Sequence, residues 1–163
     1  MAIQSLCTDD CVEDVIARYS EMVYRLAFSN VKSKADADDI FQEVFLRYIS
    51  KKRTFENETH RKAWLIRVTV NCCKKLWSSA WFRTVEPLRE PIPFEEQARP
   101  DLHELLLTLE QKYRTVIHLF YYEDLPVKQI SAILKAKEST VRTWLTRARA
   151  LLRENVKGDF FDE

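Results

Sequence analysis

The chain has 163 residues, room for one medium domain or two small ones, and its 46% hydrophobic and 31% charged residues exclude a disordered chain. A single glycine, Gly158, excludes a glycine-rich phosphate loop and a fold built on tight β-hairpins, so the expected class is all-α. The net charge of +1 says nothing by itself about nucleic acid, so the distribution of charge has to be read instead.

Residues 1–11 read as an acidic, frayed start. Val12, Val15, Ile16, Tyr19, Met22, Val23 and Leu26 recur at helical spacing and predict an amphipathic helix to about Asn30. Lys32-Ser33-Lys34 breaks it, and Asp36 suits the cap or first turn of the next helix. There Ile40, Val44, Phe45, Tyr48 and Ile49 form the expected core stripe. Asp38, Asp39, Gln42 and Glu43 give the first half of that helix an acidic, amide-bearing face. These acids either offset the positive end of the helix dipole or dock a basic partner, and the residues support both.

Residues 54–59 are polar and turn-like. A long helix is expected from His60 to about Phe82, with Leu65, Val68, Cys72 and Leu76 apolar. Its other faces carry Arg61, Lys62, Trp64, Arg67, Asn71, Lys74, Lys75, Trp77 and Trp81. Cations interleaved with aromatics and an amide are what single-stranded DNA binding uses: charges hold phosphates, rings stack on bases, and an amide reads a base edge. For Trp64, core packing and base contact are both open; for Trp77 and Trp81 packing is favoured.

Residues 83–100 hold four of the five prolines, which exclude a long helix and favour an extended linker. Beyond it, Asp101 can cap a helix holding Leu102, Leu105, Leu106 and Leu109. A second helix carries Tyr113, Val116, Ile117, Phe120 and Tyr121. From Pro126 to Arg153 two further helices with a short turn read as a helix-turn-helix, and the tail from Lys157 as frayed. The first holds Val127, Ile130, Ile133 and Leu134. The second repeats Val141, Leu145, Ala148 and Leu152 as one stripe, opposite Ser139, Arg142, Thr143, Thr146, Arg147 and Arg153. Such a face suits the major groove, where Arg can fork onto guanine and Thr can meet the thymine methyl. A solvated surface helix is the plainer alternative.

Charge supports two nucleic-acid contacts. From Arg47 to Arg83 ten Lys/Arg face two acids, a net +8; from Val127 to Lys157 eight face two, a net +6. Between them, from Glu86 to Glu104, six acids face two arginines, a net −4. The four cysteines, Cys7, Cys11, Cys72 and Cys73, lack C-x2-C spacing, and His60, His103 and His118 are scattered, so no metal and no cofactor are expected. No apolar run nears about 18 residues and no signal peptide is evident, so no membrane insertion is expected and the chain reads as cytoplasmic with reduced thiols.

Three stretches then resemble one family: DADDIFQEVFLRYI at 36–49, RKAWLIRVTVNCCKKL at 61–76, and LLLTLEQKYRTVIHLFYYEDLPVKQISAILKAKESTVRTWLTRARALLRE at 105–154. Their order, spacing and acidic Pro-rich linker are similar to those of the extracytoplasmic-function sigma factors, the smallest group of the sigma-70 class. The likeness covers about 12–157. It implies a region-2-like domain at 1–82, a linker at 83–100 and a region-4-like helix-turn-helix domain at 101–157. It implies a factor that binds RNA polymerase core and directs promoter-specific initiation through the −10 and −35 elements, and not an enzyme. Asp39, Gln42 and Glu43 match the helix that docks on the clamp helices of the largest polymerase subunit; the second domain would meet the flap.

The resemblance also makes residues 54–62, with Phe55, His60, Arg61 and Lys62, the loop that receives a flipped −10 base. Trp64, Arg67 and Asn71 would lie at the melted strand, and Lys74 and Lys75 near its backbone. Lys137, Ser139, Thr140, Arg142, Thr143, Thr146 and Arg147 would meet the −35 major groove. The linker acids would thread the transcript exit path, and an anti-sigma factor is an implied partner. Where the family usually has Gly in the helix-turn-helix, Lys135-Ala136-Lys137 stands, which predicts a turn of another shape. Ser139 replaces a common Gly, and Trp144 a small or basic residue. The competing reading is a helix-turn-helix regulator that binds DNA as a dimer without replacing the sigma subunit. An enzyme or metal protein built on the cysteines would need clustered ligands, which their spacing does not supply.

Overall fold

The computed structural model describes residues 11–31, 33–51, 54–78 and 106–160. The chain divides into two compact units, Met1–Glu90 and Pro91–Glu163. Every regular element among the described residues is helical. The linker at 83–100, Trp81, and the expected cap and leucines at 101–105 lie outside them.

The first unit packs three helices: α1 Val12–Asn30, α2 Lys34–Lys51 and α3 Glu58–Ser78. Each touches the other two. Ser33 caps α2: its hydroxyl oxygen accepts from the Asp36 backbone N–H at 3.1 Å, and its O–H donates to the Asp36 carboxylate at 2.8 Å. Asp36 is thus a first-turn acid and Ser33 the cap, an arrangement worth about 1 kcal/mol. Asn57 caps α3 in the same way, its Oδ1 accepting from the His60 backbone N–H at 2.8 Å.

Val15, Tyr19, Val23 and Ala27 of α1 meet Ala37, Ile40, Val44 and Phe45 of α2, and Leu65, Val68, Cys72 and Cys73 of α3, in one core. Two sequence expectations change here. Ile49 is 48% exposed and lies off the core. And α3 is buried on more than one face, because Ile66, Val70 and Cys73 join the expected stripe.

The second unit contains α4 Gln111–Ile117, a π-helical turn His118–Tyr122, α5 Val127–Leu134 and α6 Glu138–Phe160. The π turn holds one residue more than an α turn, with the Glu123 N–H reaching back to the His118 carbonyl at 3.2 Å. It shifts the register, so Leu119 is fully buried and Tyr121, expected in the core, is 54% exposed. α4 and α5 both pack on α6, through Val116, Ile130, Ile133, Val141, Leu145 and Ala148, all buried.

The helix-turn-helix turn needs no glycine. Lys135 itself takes the left-handed conformation, φ 53° and ψ 41°, that Gly serves in such turns. Ser131 holds it: its carbonyl accepts from the N–H groups of Lys135 and Ala136, and its O–H donates to the Ala136 carbonyl at 2.5 Å. The last helix runs to Phe160, past the frayed tail expected from Lys157.

Candidate nucleic-acid interface

Three surfaces carry the residues singled out by sequence. The first is the outer face of α2, where Asp39, Gln42 and Glu43 are all exposed. Glu43 pairs with Arg47 at 2.8 Å. The same stripe continues through Leu46, 61% exposed, and Ile49. Sequence reasoning placed neither there. The available signal was that Ile40, Val44 and Phe45 already fill the core side of α2, which leaves Leu46 without a core position. Two large apolar residues side by side on an acidic face mark a contact surface better than the acids alone do.

Beside this stripe a groove of about 370 Å³ runs between α2 and α3, lined by Asp36, Asp39, Ile40, Glu43, Arg47, Cys72, Lys75 and Leu76. Burial pushes the Cys72 thiol up, and Glu43 adds to this against the opposing pull of Arg47 and Lys75. A buried thiol held protonated is a packing group rather than a nucleophile. Among the described residues no group of His, Cys, Asp and Glu could hold a metal ion.

The second surface is α3 with the 54–57 loop. At about 100° per residue, His60, Arg67, Asn71, Lys74 and Lys75 fall on one stripe. His60, Asn71, Lys74 and Lys75 are exposed and Arg67 is half-buried. The other four residues expected at the −10 element, Phe55, Arg61, Lys62 and Trp64, are not part of that exposed stripe. Lys62 is half-buried and stands about 200° round the helix from His60, off the stripe.

Phe55 and Trp64 are buried, edge to face at 5.8 Å, and Tyr48 stacks on Phe55 at 6.0 Å. Trp64 thus packs in the core of the free chain. Arg61 is only 4% exposed: it pairs with Glu58, and its guanidinium lies over the Phe55 ring at 5.5 Å. A cation this deep cannot reach a phosphate without leaving that pair. Glu58 also accepts from the Tyr19 hydroxyl at 2.5 Å and pairs with Arg18 at 3.0 Å.

The third surface is the outward face of α6 and the turn before it. Lys137, Ser139, Arg142, Thr143, Thr146 and Arg147 are exposed and Thr140 is half-buried. All stand away from the buried stripe Val141, Leu145, Ala148. The Thr143 and Thr146 hydroxyls donate to the carbonyls of Ser139 and Arg142, both at 2.9 Å. Those protons are committed to the helix, which leaves each hydroxyl as an acceptor and each methyl free to touch a base. Arg142 makes only a loose, exposed pair with Glu138 at 3.4 Å, which costs little to break.

Arg149, about two turns beyond Arg142, is held against the π turn. Its Nε donates to the Tyr121 hydroxyl at 2.5 Å, and its guanidinium lies over the Phe120 and Tyr121 rings at 5.5 and 5.4 Å.

Comparison with known proteins fits this geometry. Residues 15–83 match the family model for Sigma-70 region 2, and residues 99–152 the model for Sigma-70, region 4. The chain is 33% identical to the RNA polymerase sigma factor SigV of Bacillus subtilis over 153 residues, covering 88% of this chain and 87% of that one. It is 25% identical to the ECF RNA polymerase sigma factor SigW of the same organism, covering 91% and 90%.

Two solved structures share the fold. One is the sigma factor RpoE in complex with the anti-sigma factor NepR from Bartonella quintana, with a TM-score of 0.72 at 19% identity, covering 93% of this chain and 98% of that one. The other is CnrH in complex with the cytosolic domain of CnrY, with a TM-score of 0.71 at 22% identity, covering 95% of each. The chain belongs to the extracytoplasmic-function group of the sigma-70 family.

Proposed function

We propose that this chain is an alternative sigma factor that binds RNA polymerase core and directs promoter-specific transcription initiation at paired −10 and −35 elements. It acts by binding, not by catalysing a reaction of its own. The observation that carries the reading is one chain with three exposed faces of different chemistry: an acidic-apolar stripe on α2, a basic-amide stripe on α3, and an Arg/Thr face on α6.

The division of labour follows from that chemistry. The first domain, 1–82, docks on the polymerase clamp helices through Asp39, Gln42 and Glu43, with Leu46 and Ile49 adding apolar area. Through the linker at 83–100 it is joined to the second domain, 101–157, which grips duplex −35 DNA. Arg142 and Arg147 are the base-reading arginines, Thr143 and Thr146 meet methyl groups, and Lys137, Ser139 and Thr140 hold the backbone. Asn71, Lys74, Lys75 and Arg67 follow the melted −10 strand, and the 54–57 loop with the first turn of α3 takes one unpaired base. Each base contact is worth about 1–3 kcal/mol of discrimination, so capture of unpaired bases stabilises the melted state without nucleotide hydrolysis. An anti-sigma factor that covers the α2 stripe would silence the chain.

The direct experiment is in vitro transcription with purified core polymerase on a mixed promoter library. Initiation from a defined subset of promoters is expected. The absence of both core binding and promoter-specific initiation would sink the reading, and tight binding to a palindromic site without polymerase would favour a dimeric regulator instead.

A further inference from the structure

We propose that Arg61 is a positioning residue for base reading at the −10 element: with Glu58 it fixes the shape of the 54–57 loop and the first turn of α3, and it touches no DNA. The inference rests on the −10 reading proposed above and changes the role of a residue that charge alone would place on the strand.

The loop is held from two sides. Inside, the Phe55 ring is its anchor. Phe55 is bracketed by Tyr48 and Trp64, meets His60 edge-on at 5.3 Å, and is covered by the Arg61 guanidinium. Arg61 is in turn held by Glu58, which α1 secures through Tyr19 and Arg18. The anchor is therefore tied to a different helix through a carboxylate. Outside, the Glu56 backbone N–H donates to His60 Nδ1 at 3.2 Å, and the His60 N–H to Asn57 Oδ1 at 2.8 Å.

What remains exposed between these restraints is a short polar rim: Thr54, Glu56, Asn57, Thr59, His60 and the half-exposed Glu58 carboxylate. With Nδ1 acting as acceptor, the neutral imidazole carries its proton on Nε2, so His60 presents a donor. A rim fixed before binding loses less freedom when it takes a base, and discrimination between bases depends on that rigidity. Arg61 supplies it from below while staying out of reach of the ligand.

The test uses the full chain with core polymerase and promoters that carry each of the four bases in turn across the −10 element. Arg61→Met keeps an unbranched apolar side chain at this buried position and deletes the cation that covers Phe55. Discrimination at one −10 position should fall about tenfold, on the scale of one lost base contact. Discrimination at −35 and the slope of log affinity against log salt should stay as in the parent. Arg61→Lys, which restores a cation to Glu58, should recover discrimination to within about twofold of the parent.

A salt slope lower by about one unit would mean that Arg61 holds a phosphate, and would overturn the proposal. Equal losses at −10 and −35 would show general destabilisation and overturn it too. Should Arg61→Met fail to fold, Glu58→Gln approaches the same pair from its half-exposed side and should give the same selective loss. A wild-type holoenzyme with no −10 preference overturns the underlying reading along with this one. A wild type and variants that discriminate equally overturn this one alone.

Discussion

The indole Nε1–H of Trp77 donates to the backbone carbonyl of Asn30 at 2.5 Å, joining the last turn of α3 to the last turn of α1. That carbonyl is one of those at a helix C-terminus with no partner inside its own helix. Trp77→Phe keeps one aromatic six-membered ring and removes the donor. The first unit should lose about 1–2 kcal/mol, read as a lower urea midpoint with an unchanged slope. An unchanged midpoint would mean that water replaces the bond at no cost.

The stripe on α2 separates binding from folding. Asp39, Gln42 and Leu46 are exposed, so alanine at any of them should leave the melting temperature nearly unchanged. Core affinity should fall, most for Leu46→Ala, by about 1–2 kcal/mol or roughly five- to thirty-fold. Titration of labelled core polymerase measures it. Parent affinity in all three variants would remove this face from the docking surface.

Lys135 occupies left-handed backbone that costs a side-chain-bearing residue about 1–2 kcal/mol, and Gly adopts it freely at some cost in unfolded-state entropy. Lys135→Gly should therefore stabilise the second unit by about 0.5–1 kcal/mol. Differential scanning calorimetry on the full chain would show the gain. A loss would mean that the lysine makes a compensating contact of its own.

Glu58 and Tyr19 titrate in opposite directions. Burial raises the Glu58 carboxyl, but the Tyr19 hydrogen bond, Arg61 and Arg18 together outweigh it, and the net shift is downward. A depressed acid stabilises the fold above its unfolded value, near 4, and that contribution is lost as pH falls through the folded value. Burial and the Glu58 carboxylate push Tyr19 up to about 12. Its contribution is complete below the unfolded value near 10 and is lost as pH rises toward about 12. Glu58→Gln should flatten the acid limb of the stability curve and bring tyrosinate absorbance to a lower pH. A parallel, unshifted curve would show that the two groups are not coupled.

The apolar stripe of α6 was legible because Val141, Leu145 and Ala148 keep strict helical spacing and all three are buried. The same rule misplaced Ile49 and Tyr121. Ile49 has a core residue's chemistry but faces outward, and residue type cannot distinguish a core from a partner-facing stripe. Tyr121 lies in the π turn, where the extra residue breaks the 3.6 period on which the assignment rested. Arg61 and Lys62 were grouped by charge with Arg67 and Lys74. Charge counts carry neither the angle of Lys62 round the helix nor the Glu58 pair that takes Arg61 inward. The exposed face from Ser139 to Arg147 was readable because one periodicity defines both the buried side and its opposite.

The π turn at His118–Tyr122 gives the second unit a length gauge. It stores one residue of slack between α4 and the helix-turn-helix, and Arg149 of α6 closes back on Phe120 and Tyr121 across it. Deleting one residue there would let the segment relax to an α turn with α5 and α6 kept in register, whereas a further insertion, which the turn does not take up, would rotate them by about 100° relative to α4. The direction of the exposed Arg/Thr face of α6 therefore depends on a residue count in a segment well outside that face. Sequence change in this segment is then constrained by number before identity: substitutions at the exposed Tyr122 and one deletion can be absorbed, whereas a single insertion would turn α6.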